Sequence, residues 1–336
     1  MLQASVGTSK LTNGFEAGLE AAKAAAKELE QVSIIFAYFS CAYDTAQVLK
    51  GIKEVFADAP VIGNTSFTGI ITKEGYVGGD EPFVGIMGMY ADGLTVGTAM
   101  VKGNGKPYEE GVDLAKAAMA AAGKTSAPDY FYMAASSGEE EFYLKGISSI
   151  VGRIPFFGGS AADNSIAGEW KLYAGTEFCE SGAAVAFFYD APMMKNVFTG
   201  AYHETNDFGV ITKIDGNRTL MEIDGVPALE KYAQWRGCSI DDIKGGNLLV
   251  QTVCSPLGVK DRLGDLIAIR HPMNGNDDLS MAIGNNLAEK TCIIRMEATV
   301  DELIEAVPKT LAALNERIPG KPLAYHLVHC GGRRAG

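Results

Sequence analysis

Two stretches whose residues could hold a small polar ligand lie 95 residues apart, Gly63-Asn64-Thr65-Ser66-Phe67-Thr68-Gly69 and Gly158-Gly159-Ser160-Ala161-Ala162-Asp163-Asn164. Each follows an apolar run, so each reads as the exit of a strand. There, backbone N–H groups and small hydroxyls can receive a carboxylate or an amide. The competing reading is a tight turn in which glycine supplies backbone angles closed to other residues. The return of the same chemistry at the same point favours the ligand reading. Its contact set is Asn64, Thr65, Ser66, Gly158, Gly159, Ser160, Asp163 and Asn164. Neither loop carries Gly-Lys-Ser/Thr, and no Gly-x-Gly-x-x-Gly opens a helix after a strand, so nucleotide binding has no support.

Other residue types invite weaker readings. Arg270-His271-Pro272 either presents a cation and an imidazole to a ligand or caps an exposed loop. Arg270 and Arg333 are both available to fork a carboxylate through two parallel hydrogen bonds. In Tyr325-His326-Leu327-Val328-His329-Cys330, read as a strand, His326 shares a face with Val328 and Cys330 while His329 points away. A Cys–His nucleophile pair is conceivable there, but a buried thiol beside a hydrogen-bonded histidine is the simpler reading. Cys254-Ser255-Pro256-Leu257-Gly258 reads as a turn, and Glu139-Glu140-Glu141 as the acidic first turn of a helix. The sequence has no His-Glu-x-x-His, no Gly-x-Ser-x-Gly and no paired-carboxylate signature, so nothing demands catalysis. The six cysteines are scattered without a Cys-x-x-Cys pair. That argues against a structural zinc and for reduced thiols.

The two loops belong to a longer repeat. Ile34 to Ser40, a helical stretch from Asp44 to Ala57 and the first loop are matched by Tyr130 to Ser137, a helical stretch from Glu139 to Gly152 and the second loop. Amphipathic helices precede both copies, with Phe15, Leu19, Ala22 and Ala26 on one stripe and Val112, Ala115 and Met119 on the other. A hairpin is expected after each: Phe83–Met89 with Leu94–Lys102 around Asp92-Gly93, and Gly182–Tyr189 with Asn196–Tyr202. Beyond about residue 209, Val210–Gly216 and Thr219–Gly225 read as a hairpin, followed by a helix from Pro227. Leu248–Val253, Leu266–Arg270, Leu279–Ile283, Thr291–Ala298 and Leu323–His329 read as strands, and Val300–Ile318 as a long helix. The fold class expected is therefore α/β (α+β): mixed sheets with flanking helices, built from a duplicated α-β-α-β-plus-hairpin unit. Residues 1–210 form one domain of two halves (about 1–105 and 106–210), and 211–336 a second.

Composition sets limits. A chain of 336 residues with 47% hydrophobic content can bury a large core. A net charge of −12 argues against nucleic acid and anionic membrane surfaces as partners. The N-terminal residues lack the pattern of a signal peptide, and no apolar run reaches the roughly 20 residues a membrane span needs. A cytoplasmic protein without membrane insertion is the expectation.

The ordered set Pro60–Gly69, Phe157–Asp163, Met221-Glu222-Ile223-Asp224-Gly225-Val226-Pro227-Ala228-Leu229 and Cys330-Gly331-Gly332-Arg333 resembles the FIST family, a bacterial and archaeal sensory module with N- and C-terminal parts. The resemblance implies a small-molecule sensor with amino acids as the ligand class; small organic acids are added as candidates, and no cofactor is expected. It also implies a signalling partner or output domain such as a chemotaxis receptor, a histidine kinase or a cyclic-di-GMP enzyme. Cys330 and Arg333 join the ligand set on that basis. Part of the family is described as haem-binding and nitric-oxide sensing. In that alternative His271 is the first choice of axial ligand and His203 the next. A thiol enzyme using Cys330 ranks last. Members usually continue past the Cys-Gly-Gly-Arg segment, so the expectation is either an excised sensory domain or a short form.

Overall fold

The computed structural model describes residues 1–165, 167–260 and 267–335. Two compact units result. The first comprises residues 1–196 and 317–328, the second 197–316 and 329–336.

In the first unit the chain forms β1 (Leu2–Ser9), α1 (Gly14–Ala26), β2 (Ile34–Phe39), α2 (Thr45–Lys53), β3 (Val61–Thr65), β4 (Gly69–Thr72), β5 (Gly75–Gly78) and β6 (Val84–Ala91). It then repeats with β7 (Thr95–Lys102), α3 (Pro107–Ala121), β8 (Tyr130–Ala135), α4 (Glu140–Val151), β9 (Phe156–Ser160), β10 (Leu172–Ala174), β11 (Glu177–Cys179) and β12 (Gly182–Tyr189). The first copy makes a sheet in the order β1-β6-β2-β3, extended by β10-β11, and the second a sheet in the order β7-β12-β8-β9. In each, the strands that flank the crossover helix are parallel, Ile35 opposite Val61 and Phe131 opposite Phe156. The duplication is thus real and the sheets are mixed.

The repeat differs from the expected unit at its edges. It opens on a strand, β1 or β7; the helix-first reading left β1 out and took β7 for the second arm of the first copy's hairpin. Asp92-Gly93 does turn the chain sharply, but β6 pairs with β1 and β2 while β7 pairs with β12 and β8. The turn therefore passes the chain from one sheet to the other. Likewise Gly182–Tyr189 is a central strand, and residues 196–202 form no strand to pair with it.

Alternation along the strands explains the layering. Ile35, Ala37 and Phe39 pack beneath α1 and α2, and Phe131, Met133 and Ala135 beneath α3 and α4. The intervening residues, Ile34 and Phe36 on one sheet and Tyr132, Ala134, Ala184, Ala186 and Phe188 on the other, meet in a shared core. The unit is a four-layer sandwich, helices outside and two sheets face to face.

Each helix pair crosses through glycines. A Cβ on Gly18 would lie 2.3 Å from the Val48 carbonyl oxygen and one on Gly51 2.2 Å from that of Phe15. In the second copy Gly111 and Gly146 face Tyr143 and Tyr108 in the same way.

The second unit carries a nine-stranded sheet. Its strands are β13 (His203–Asp215), β14 (Thr219–Ile223), β15 (Val226–Pro227), β16 (Gly246–Asn247), β17 (Leu257–Lys260), β18 (Ile267–Arg270), β19 (Pro272–Gly275), β20 (Met281–Ile283) and β21 (Cys292–Glu297). The expected hairpin is β13–β14. Helix α5 (Ala228–Arg236) and the long α6 (Val300–Asn315) follow the reading, the latter capped by Thr299 and Glu302 reciprocally. A short helix, α7 (Gly331–Ala335), holds the Gly-Gly-Arg segment. Two expected strands fail. Residues 248–253 are turns, where Thr252 bonds back to Leu248, and residues 323–329 are irregular. Of the strand expected from Leu266, Leu266 itself lies outside the described residues.

Gly51→Ala and Gly146→Ala should each lower stability by about 1–3 kcal/mol, because a methyl group there must push two helix backbones apart. Thermal denaturation checks this; unchanged melting temperatures would contradict the close crossing.

Candidate functional site

Between the two sheets of the first unit runs a chain of buried polar side chains. Tyr38 on β2 donates its hydroxyl to that of Tyr132 on β8 at 3.0 Å. Tyr132 donates to Asn64 Oδ1 on β3 at 3.0 Å, and Asn64 Nδ2 donates to the Thr65 carbonyl at 2.8 Å. Tyr173, wholly buried, donates to the carbonyls of Ala37 and Asn64, 3.0 Å from each. Burial pushes all three tyrosine hydroxyls upward, so they stay protonated at any ordinary pH.

The chain ends on a residue from far along the sequence. His326 Nε2 lies 2.8 Å from the Tyr38 hydroxyl oxygen. Its ring sits edge-on to Phe36 (centroids 4.6 Å apart), close to Phe157 (5.2 Å) and Tyr38 (5.5 Å), and stacked on Tyr132 (5.7 Å). The direction of the hydrogen bonds follows from the asparagine. Because Asn64 Nδ2 must donate to a carbonyl, Oδ1 must accept. Tyr132 therefore donates to it and accepts from Tyr38. With its only proton spent, Tyr38 offers His326 an oxygen, so His326 carries a proton on Nε2. Burial holds its pKa down at about 4. Its Nδ1 is sealed from solvent and has no hydrogen-bond partner among the described residues.

The site breaks the symmetry of the duplication. Tyr38 pairs with Asn64 across β2 and β3, and the corresponding pair across β8 and β9 is Ala134 with Gly159. Phe36 and Ile62 correspond to Tyr132 and Phe157. The first copy supplies Tyr38, Asn64 and the Phe36 ring, and the second the Tyr132 hydroxyl, the Phe157 ring and two small residues. A Cβ on Gly159 would come within 3.2 Å of Val328, in the same segment as His326.

The residues expected to contact a ligand are mostly engaged in holding loops. Thr65 Oγ1 accepts from Lys171 N at 2.9 Å, and Ser66 donates to the Gly69 carbonyl. Asn164 accepts from Thr68 N and donates to the Ser40 hydroxyl. Gly158 has φ +141° and backs onto the Met133 carbonyl. Ser160 donates to Glu140. Asp163 is buried and accepts from the amides of Ser165, Ala167, Gly168 and Glu169. Burial alone would raise its pKa, but those amides outweigh burial and hold it below the ordinary value. Asn64 alone of the set joins the buried chain.

Arg270, His271, His203, Cys330 and Arg333 belong to the second unit. Arg270 donates to the carbonyls of Asn286 and Ile269. His271 Nε2 is held by Thr252 Oγ1 at 3.0 Å and the Leu249 carbonyl at 3.1 Å, and burial lowers its pKa. His203 pairs with Glu302 at 3.0 Å. Cys330 is exposed, and Arg333 donates to the Leu303 carbonyl. With residues 323–329 irregular, the face-sharing argument for His326 and Cys330 falls. His326 belongs to the first unit, Cys330 to the second.

Sequence reasoning missed Tyr38, Tyr132, Tyr173, Phe36 and Phe157. The parity of the strands was available: Phe36 and Tyr38, like Tyr132 and Ala134, sit on the face opposite the helices. A surface depression of the first unit, about 880 Å³, lies away from this chain, lined by Ser9, Lys10, Glu20 and Lys23 of β1 and α1.

Residues 33–226 match the FIST N domain and residues 228–336 the FIST C domain. No curated protein matches the chain. Among solved structures, a cyanuric acid hydrolase from A. caulinodans is similar at 11% identity and a TM-score of 0.32, over 63% of this chain and 72% of that one. A second, described as a cyanuric acid hydrolase arising by structural concatenation, is 11% identical with a TM-score of 0.31, over 89% of this chain and all of that one. At these scores neither likeness bears on the site. Among the described residues no helix is long and apolar enough to cross a membrane.

Tyr132→Phe should cost about 1–3 kcal/mol, since it strands Asn64 Oδ1 and removes the acceptor of Tyr38; thermal or denaturant unfolding checks it. A second test uses pH. Asp163 has a folded pKa below its unfolded one, so its contribution is complete above the unfolded value and is lost as pH falls through the folded one. Unfolding midpoints below pH 4 should fall less steeply in Asp163→Asn than in the wild type.

Proposed function

The chain belongs to the FIST family, whose domains serve as sensory modules in signal transduction, and on that premise we propose that it is a non-catalytic sensor whose small-molecule ligand binds between the two sheets of the first unit. The observation that carries this is the hydroxyl chain Tyr38–Tyr132–Asn64. A sandwich core needs no polar groups. This one holds three in register, drawn from both copies, and ends them at a ring that is not part of either sheet. Asymmetry of this kind makes one site out of two similar halves. The loops after β3 and β9, held by Thr65, Ser66 and Asp163, fix the strand ends around it. Amino acids and small organic acids are the first ligand classes to try.

The output follows the chain itself. Residues 317–328 belong to the first unit, while the residues before and after them belong to the second. A ligand that changes the seating of this segment acts on α6 and α7 through the backbone. Binding then biases a conformational equilibrium that a signalling partner or output domain reads.

A thermal-shift screen of the purified protein against amino acids and small carboxylates tests the reading. A ligand at 100 times its dissociation constant should add about 2.7 kcal/mol to stability. Tyr38→Phe should reduce the shift of any hit without abolishing folding. A screen with no hit, or a hit indifferent to Tyr38, would overturn the placement of the site.

A further inference from the structure

The ring of His326 sits where a ligand would sit. It is enclosed by Phe36, Tyr38, Tyr132 and Phe157 at centroid distances of 4.6–5.7 Å. It comes from a segment without regular structure, whose neighbours Leu323, Tyr325, Leu327 and Val328 are exposed at 43–52%. A strap that seats one imidazole while four large side chains stay about half exposed gains less from its own packing than a buried strand would, because the hydrophobic return scales with area removed from water.

The seat is also specific in its chemistry. The Asn64 amide fixes every proton upstream, so Tyr38 presents an acceptor oxygen. The occupant must bring an in-plane N–H. Four aromatic walls call for a flat ring, and their edge-on and stacked contacts suit a π system. Among the described residues no carboxylate or cationic side chain is hydrogen-bonded to the ring, so the seat favours a neutral occupant. The second nitrogen of His326, Nδ1, meets no partner among the described residues. An unpaired buried acceptor costs free energy, so the imidazole satisfies one half of its own polarity and forfeits the other.

Building on the proposed sensory role, we propose that His326 is an internal stand-in for the ligand, and that the ligand class is a small, neutral, planar N–H heteroaromatic ring that displaces it. Such a ring keeps the hydrogen bond to Tyr38. If a carbon stands where Nδ1 stands, it also removes the unpaired acceptor. Displacement frees residues 317–328 from the first unit, and this release is the signal. The intramolecular competitor reduces apparent affinity by the fraction of molecules whose seat is empty.

Imidazole is the probe, with 1-methylimidazole as the control that has no N–H. In the wild-type protein, imidazole should raise amide hydrogen exchange across residues 317–328, and 1-methylimidazole should not. His326→Ala, with the seat vacant, should bind imidazole about tenfold or more tightly than the wild type does, read by thermal shift. Imidazole binding to the wild type with exchange in 317–328 unchanged would overturn the proposal. So would equal response to both probes. If His326→Ala does not fold, the exchange measurement on the wild type decides alone. An amino acid or organic acid that stabilises the protein through Tyr38 while the strap stays protected would sink this proposal and leave the sensory reading standing. The absence of any ligand would remove both.

Discussion

The structure of the first unit depends on burying one apolar layer between two sheets. Helices α1 to α4 cover the outer faces, so the inner faces have only each other. Phe36, Tyr132, Phe157 and Phe188 fill that layer with rings 5.3–6.4 Å apart, within the range where edge-to-face and offset contacts are favourable. Any polar group placed there must find a partner inside the layer. That constraint explains why Tyr132 bonds across the interface to Asn64 and Tyr38 rather than facing a ring. It also gives the bonds a fixed direction, since a single asparagine amide sets the sense of the whole chain.

Duplication supplies the frame and divergence supplies the site. The two copies share strand order, crossover and even the glycine contacts between their helices. They differ where the frame is indifferent, on the inner face near the ends of the parallel strands. Tyr38 and Asn64 in one copy answer to Ala134 and Gly159 in the other. Two polar residues opposite two small ones leave room for a ring, and His326 takes it. In the second unit, Arg270, His271 and Arg333 each bond to backbone carbonyls of their own unit.

Much of the frame was legible in the sequence. The Ile34–Ser40 and Tyr130–Ser137 runs and the helices after them became the expected elements, while the two glycine stretches repeat in register but begin inside β3 and β9. The strand before the first helix was missed because Leu2–Ser9 buries Ser5, Gly7 and Ser9 rather than its apolar residues and carries no turn signal at its start. Asp92-Gly93 was read as a hairpin because local turn chemistry says nothing about which sheet receives the next strand. The loop residues drew attention for their hydrogen-bonding capacity. Asp163 and Thr65 spend that capacity on the loops themselves, which a sequence does not reveal. His326 was misplaced for a related reason. Leu323–His329 alternates like a strand, but its alternation reflects one buried ring on an exposed strap, and only long-range packing decides between the two.

The central claim is that His326 sits in the inter-sheet seat as a neutral imidazole, its Nε2 proton given to Tyr38. Nitrogen-15 NMR of the histidine side chains across a pH titration tests it most directly. The account predicts one histidine whose resonances report the Nε2–H tautomer and stay unchanged as pH falls from 7, titrating only near 4. Tyr38→Phe should disturb those resonances, because the acceptor is gone. Four histidines that all titrate near 6.5, or a buried one in the Nδ1–H form, would contradict the seat, the direction of the hydroxyl chain and the reading built on them.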